Sequence, residues 1–275
     1  MSPPEPPPVR LKIVSSGLTD VGKKRDHNED SFLIDEDLKL FVVADGMGGH
    51  AGGGTASRIA VETIDRELRQ ARTTQGSALD ARTALQDSPI PEAIRAAVER
   101  ACIAIYSKAQ EDPRLAGMGT TVISLLLKED QAFFAHVGDS RAYLYRGGEL
   151  TRLTDDHSWV HEQVTAGILT EEEAKTHPLK NVVTRALGGG PSVSPDLREM
   201  EFQKGDAFLF CSDGLTTMLS DEEIRDDIAA NGDRPAEELC QSLVDLANDK
   251  GGVDNITVVF VRIEERTTAD DATES

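Results

Sequence analysis

The sequence predicts an α+β fold built on antiparallel sheet. Strand-like runs follow one another through short, turn-rich links, so that neighbours pair as hairpins. Helical patterns fall in separate blocks instead of alternating with strands as βα units. The chain has 275 residues, enough to bury a large core as one domain or as two small ones, and it carries no internal repeat or long linker.

Residues 1–10 read as a disordered or extended proline-rich lead, and 267–275 as a short acidic tail, leaving 11–266 as the folded domain. Runs at 11–16, 31–35 and 39–44 are rich in β-branched and apolar residues and end at turn residues. Apolar spacing predicts helices over 55–72 and 91–110, with an aperiodic surface loop at 72–89 between them. Strands follow at 120–127 and 132–137, joined by Lys128-Glu129-Asp130, and at 141–145 and 149–153, joined by Arg146-Gly147-Gly148. Residues 155–195 are mixed and polar with weak helices, and a segment that long inside a compact domain is often functional. A strand at 207–211 precedes helices at 221–230 and 235–249, and a last strand spans 256–263. Ser220 stands three residues before Glu223, a capping-box spacing, and Pro235 suits a first helical turn.

Apolar residues make up 39% and charged residues 28%, ordinary values for a globular protein. No apolar run approaches the roughly 20 residues that cross a bilayer, and the N-terminus carries no apolar signal segment. The expected location is cytoplasmic. A net charge of −20 repels nucleic acid and anionic membrane, which removes both as partners. Three cysteines, Cys102, Cys211 and Cys240, form no disulfide framework and read as small buried hydrophobes in a reducing compartment.

Two glycine motifs invite nucleotide readings and fail. Gly17 to Lys23 opens like a P-loop, but Lys24 stands where Ser or Thr is required, and residues 25–30 have no apolar helix face. Gly46-Met47-Gly48-Gly49-His50-Ala51 fits a dinucleotide fingerprint, but Asp45 directly before it would face the pyrophosphate, and a loop and second helix follow in place of a parallel strand. A cysteine-based phosphatase needs Arg six residues after Cys, which none of the three cysteines has.

Acidic residues recur where strand-like runs begin, end or meet glycine: Glu29-Asp30, Asp45-Gly46, Asp139 after Gly138, Asp213-Gly214 and Asp254-Asn255. Singly, each is an ordinary turn or loop. Together they suggest carboxylates held by rigid elements at a cleft, where mutual repulsion demands cations. Hard oxygen donors favour Mg²⁺ or Mn²⁺ over zinc.

With these residues in place, the sequence resembles the PP2C-type (PPM) metal-dependent protein serine/threonine phosphatases. Seven segments match in order: Gly17…Arg25…Asn28-Glu29-Asp30; Val43-Ala44-Asp45-Gly46-Met47-Gly48-Gly49; Gly119-Thr120-Thr121; His136-Val137-Gly138-Asp139-Ser140-Arg141; Leu153-Thr154-Asp155-Asp156-His157-Ser158; Ser212-Asp213-Gly214; and Asp254-Asn255-Ile256-Thr257. The resemblance implies a four-layer α/β-β/α sandwich, two antiparallel sheets flanked by helices, with Mn²⁺ or Mg²⁺ in a cleft at one end. It implies that Asp45 bridges two core ions, with the Gly46 carbonyl as a further ligand. Asp213 and Asp254 complete the first site, Glu29 and Asp30 act on the second, through waters or directly, and Asp139 with Asp213 forms a third, weaker one. Arg25 would hold the substrate phosphate. Gly119, Thr120, Thr121, Ser140 and Arg141 would position strands near the cleft.

Many animal members carry a histidine directly after the Asp-Gly pair, proposed as the acid for the leaving alcohol. Here that position is Met47, as in many bacterial members, and His50 is the nearest histidine. Residues 157–188 correspond to the family's variable flap, with Trp159 read as capping a local core. The implied partners are phosphorylated proteins, an opposing serine/threonine kinase and its substrates, acted on by a monomer. The alternative on the same fold is a pseudophosphatase that binds phosphoproteins; the complete acidic set weighs against it.

Overall fold

The computed structural model describes residues 11–48, 52–74 and 90–265; the proline-rich lead, most of the 72–89 loop, His50 and the acidic tail lie outside the described residues. One sheet has the order β1 (Leu11–Asp20), β12 (Ile256–Glu265), β11 (Ala207–Cys211), β8 (Arg141–Arg146), β9 (Glu149–Arg152). The other runs β10 (Asp196–Glu201), β7 (Gln131–Val137), β6 (Val122–Lys128), β3 (Leu40–Ala44), β2 (Ser31–Asp35). Every pairing in both is antiparallel. A two-residue pair, β4 (Gly46–Met47) with β5 (Gly119–Thr120), stands apart.

Alternation along buried strands builds the layers. In β3, Leu40, Val42 and Ala44 pack on α1 (Gly52–Thr74) and α2 (Ile90–Glu111), while Phe41 and Val43 enter the seam between the sheets. In β11, Phe208 and Phe210 enter the same seam, and Ala207, Leu209 and Cys211 face α6 (Asp221–Asn231) and α7 (Ala236–Asp249). Phe134 of β7 meets Phe208 edge-on across the seam, ring centroids 5.7 Å apart. Strands buried on both faces explain the unbroken apolar runs in the sequence. Helix, sheet, sheet and helix thus stack as the four-layer sandwich expected from the resemblance.

Three local differences from the sequence reading have physical reasons. β10 reads as polar chain because it is a sheet edge: its charged residues face solvent, and such charge protects an edge from further pairing. β1 runs on to Asp20 through Gly17, whose hydrogen faces the Phe32 ring where a Cβ would come within 2.6 Å. The run at 120–127 is two strands, since Thr120 pairs back to Gly46 and bridges Leu187, while β6 starts at Val122. Within 155–195 lie two short helices, α3 (Trp159–Thr165) and α4 (Glu171–Thr176). Trp159, partly buried, stacks on His177 at 4.8 Å and joins α3 to the end of α4. The capping box at Ser220 and Glu223 forms, and Pro235 is the residue just before α7. All three cysteines are buried and free, and burial pushes the thiols of Cys211 and Cys240 up to about 12. No helix among the described residues is long and apolar enough to cross a membrane.

Candidate active site

The acidic residues gather where strands of both sheets end. Asp45 leaves β3 with its backbone pinned on both sides: its N–H donates to Thr121 Oγ1 (3.0 Å), and its carbonyl accepts from Thr121 N–H (2.9 Å) and Thr120 Oγ1 (2.8 Å). Asp30 precedes β2 and reaches across to the other sheet, where Ser212 Oγ (2.7 Å) and Thr257 Oγ1 (2.6 Å) both donate to its Oδ2. Asp213 opens a single helical turn, α5 (Asp213–Thr216), and Asp254 stands just before β12.

Glycine lets these chains cross. A Cβ on Gly46 would come 2.3 Å from the Gly53 carbonyl oxygen and 2.5 Å from that of Glu29, and one on Gly214 would come 1.9 Å from the Asn255 carbonyl. Both Asp-Gly pairs are therefore points of backbone contact, and the contacts bring Asp45 beside Glu29 and Asp213 beside Asp254.

Crowding shows in the titration of the cluster. Burial pushes the Asp45 carboxyl well above its usual range, and Asp30, Asp213, Asp139 and Asp254 push it further. Burial raises Asp30 to about 6 even though Thr257 and Ser212 hydrogen-bond it. Asp213 rises to about 6 through burial and the Asp254 charge, and Asp139 to about 7 through burial, Asp213 and Asp156.

Arg25 borders the cluster, half exposed, and its guanidinium donates to Asp254 Oδ2 at 2.6 Å. The structure thus pairs Arg25 with an expected metal ligand. Asn255, buried beside it, went unassigned in the sequence. Its Oδ1 accepts from Glu29 N–H (2.8 Å), and its Nδ2 donates to the carbonyls of Val21 (3.0 Å) and His27 (2.9 Å), so it holds the segment that carries Arg25 and Glu29. The only sequence signal for that role is its place next to Asp254.

Arg141, expected as a strand-positioning residue, forms a double contact with Asp156 at 2.6–3.2 Å. Thr121 Oγ1 and Ser140 Oγ lie 2.7 Å apart, tying the Asp45 junction to the loop of Asp139. Met47 lies in β4 and has no proton to give. A cavity of about 860 Å³ opens between α3–α4 and α5–α6, with Asp139 and Asp213 in its wall.

The donor set suits hard divalent cations. Among the described residues Glu29 Oε1 and Asp30 Oδ1 are buried without a hydrogen-bond partner, and a cation there would satisfy both. No three His, Cys, Asp or Glu side chains among the described residues form a ready-made coordination sphere. Instead Arg25 takes one oxygen of Asp254, and Ser212 and Thr257 take one of Asp30. The oxygens are gathered by the fold, and cations would have to draw them inward.

A four-layer sandwich that pools carboxylates from both sheets at one end is the architecture of a metal-dependent protein phosphatase. The comparisons agree. Residues 22–252 match the family described as Protein phosphatase 2C. Protein phosphatase PhpP of Streptococcus pneumoniae is 39% identical over 251 residues, covering 90% of this chain and 96% of that protein. The crystal structure of the Mycobacterium tuberculosis serine/threonine phosphatase PstP/Ppp aligns with a TM-score of 0.79 at 36% identity, covering 92% of this chain and 99% of that one. A structure of the catalytic domain of PstP in complex with 2 manganese ions gives the same TM-score at 34% identity, covering 93% and 100%. This chain belongs to the protein phosphatase 2C family.

Proposed function

We propose that this protein hydrolyses phosphoserine and phosphothreonine in proteins at a binuclear Mn²⁺ or Mg²⁺ centre. Asp45, the Gly46 carbonyl, Asp213, Asp254, Glu29 and Asp30 would hold the two ions, and Asp139 with Asp213 a third, weaker one. When bound, such a pair lowers the pKa of a shared water and offsets charge on the phosphoester. The observation that carries the reading is Asp45: its carboxyl lies among four other aspartates, an arrangement that cations stabilise and that ionised carboxylates alone oppose. The manganese-bound PstP domain supports the same reading. We also propose a cytoplasmic monomer that opposes a eukaryotic-like serine/threonine kinase, with 11–266 as the catalytic domain. Hydrolysis of p-nitrophenyl phosphate and a phosphothreonine peptide, with and without Mn²⁺, by wild type and Asp45→Asn tests the assignment.

Arg25 would hold the substrate phosphate, because half of its side chain stays exposed while one nitrogen is tied to Asp254. Arg25→Ala is expected to raise KM for phosphopeptide and to lower kcat/KM about ten- to a hundredfold, the worth of a charge-assisted contact of roughly 1.5–3 kcal/mol. The Asp254 contact refines this expectation: loss of a cation leaves the cluster more negative, so Mn²⁺ affinity by titration calorimetry is kept or tightens. A loosened ion would assign Arg25 to the metal site.

His50 can be tested by its leaving-group dependence. p-Nitrophenolate departs without a proton, whereas a serine or threonine alkoxide needs one. His50→Ala is expected to change neither rate much. A large drop on phosphopeptide alone would make His50 the acid.

A further inference from the structure

His157 lies in the polar stretch after β9, is 3% exposed, and has no role in the site described above. It grips one residue, Gly138, at both of its backbone polar groups. His157 N–H donates to the Gly138 carbonyl at 2.8 Å, and Gly138 N–H donates to His157 Nδ1 at 3.0 Å. From the other side Gly138 is closed by Thr121, whose Cγ2 would lie 2.5 Å from a Cβ there, and its φ is +112°. The next residue is Asp139. The peptide that aims this carboxylate is thus clamped between Thr121 and His157.

The clamp also fixes the imidazole tautomer. An Nδ1 that accepts from Gly138 carries no proton, so the proton of the neutral ring sits on Nε2. Nε2 lies 3.0 Å from Asp196 Oδ2, and Arg185 donates to the other oxygen of Asp196 at 2.7 Å. The His136 ring packs against His157 with centroids 4.6 Å apart and limits its tilt. A carboxylate, an imidazole and a backbone amide therefore lie in series, with Asp139 at the end.

We propose that His157 is a positioning residue for Asp139: Asp196 holds the imidazole with its proton on Nε2, so that Nδ1 accepts from Gly138 and sets where the Asp139 carboxylate points. The proposal rests on Asp139 contributing to turnover as read above. A core histidine serving stability alone would leave the turnover of the folded protein unchanged when it is replaced.

The replacements separate these roles. Asparagine puts an oxygen near the place of Nδ1, whereas glutamine extends its amide toward the place of Nε2. Asp139→Asn is expected to slow turnover about tenfold while both tightly held ions remain, and His157→Gln to slow it similarly at unchanged KM. His157→Asn should recover most of the rate. In an Asp139→Asn background His157→Gln should add nothing, because both act on one carboxylate. Independent of activity, ¹⁵N NMR should show Nδ1 unprotonated and the Gly138 amide shifted by His157→Gln and restored by His157→Asn. Should His157→Gln fail to fold, Asp196→Leu at the half-exposed end of the series should move the same signals and rate. Full activity of Asp139→Asn would remove the underlying reading of Asp139. Multiplicative losses in the double variant, equal behaviour of the Asn and Gln variants, or a protonated Nδ1 would overturn the role of His157.

Discussion

Asp45→Asn is expected to lose at least about a hundredfold in turnover on both p-nitrophenyl phosphate and phosphothreonine peptide, while keeping its fold. Charge stabilisation by bound cations is worth several kcal/mol, and each 1.36 kcal/mol is tenfold in rate. The fold should survive because Asp45 is held by its backbone, through Thr121 and Thr120, and the amide is close to isosteric. Replacing a carboxyl that Asp30, Asp213, Asp139 and Asp254 all crowd also relieves repulsion, so the metal-free variant should melt at or above the wild-type temperature at neutral pH. Asp213→Asn should behave alike. Near-native turnover of either variant at saturating Mn²⁺ would refute the ligand assignment, and thermal unfolding by circular dichroism separates lost chemistry from lost structure.

Chelation should have the second large effect, with a pH signature. EDTA is expected to abolish turnover and Mn²⁺ to restore it. In the stripped protein Asp30 and Asp213 titrate at about 6 and Asp139 at about 7, with Asp45 raised as well, against an ordinary value of 3.8. Above pH 3.8 the unfolded chain has released protons that the folded chain keeps, so these groups favour folding at low pH. That contribution is lost progressively as pH rises from the unfolded value through the folded ones, so the stripped protein should lose stability from about pH 4 to about pH 7. His136, held down to about 4 by burial against 6.5, acts in the opposite sense but only below about 6.5. Melting temperatures with and without Mn²⁺ should therefore diverge with rising pH, as protons stop competing with the cation. Full turnover of rigorously stripped protein, or a constant gap across the range, would contradict the metal reading.

What the sequence makes legible follows from how local each signal is. β3 and β11 stand out because a strand buried on both faces is a short apolar run that turn residues close. β10 and the β4–β5 pair do not, since an exposed edge alternates weakly and two residues carry no period. The ligand candidates are legible as acids at strand ends, yet nothing local states that they meet. Asp30 finds Thr257 across 227 positions and Glu29 finds Asn255 across 226. Gly46 and Gly214 look like turn glycines because Asp-Gly is a frequent turn pair, whereas each serves a backbone crossing, Gly46 with Gly53 and Glu29 and Gly214 with Asn255. The His157 clamp is hidden for the same reason, because a lone histidine gives no sign of which amide it accepts from.

The order of the sheet β1-β12-β11 also governs when the enzyme comes into being. Among the described strands β1 pairs in its sheet with β12 alone, so of these the first to be synthesised waits for the last. Asp254 and Asn255 arrive just ahead of β12, and with them the grip on Arg25 and Glu29. Closing so long a loop is slow relative to forming local hairpins. On the ribosome the β6–β7 hairpin is expected to form early, whereas the grip of Asp254 and Asn255 on Arg25 and Glu29 waits until β12 has been made to settle beside β1.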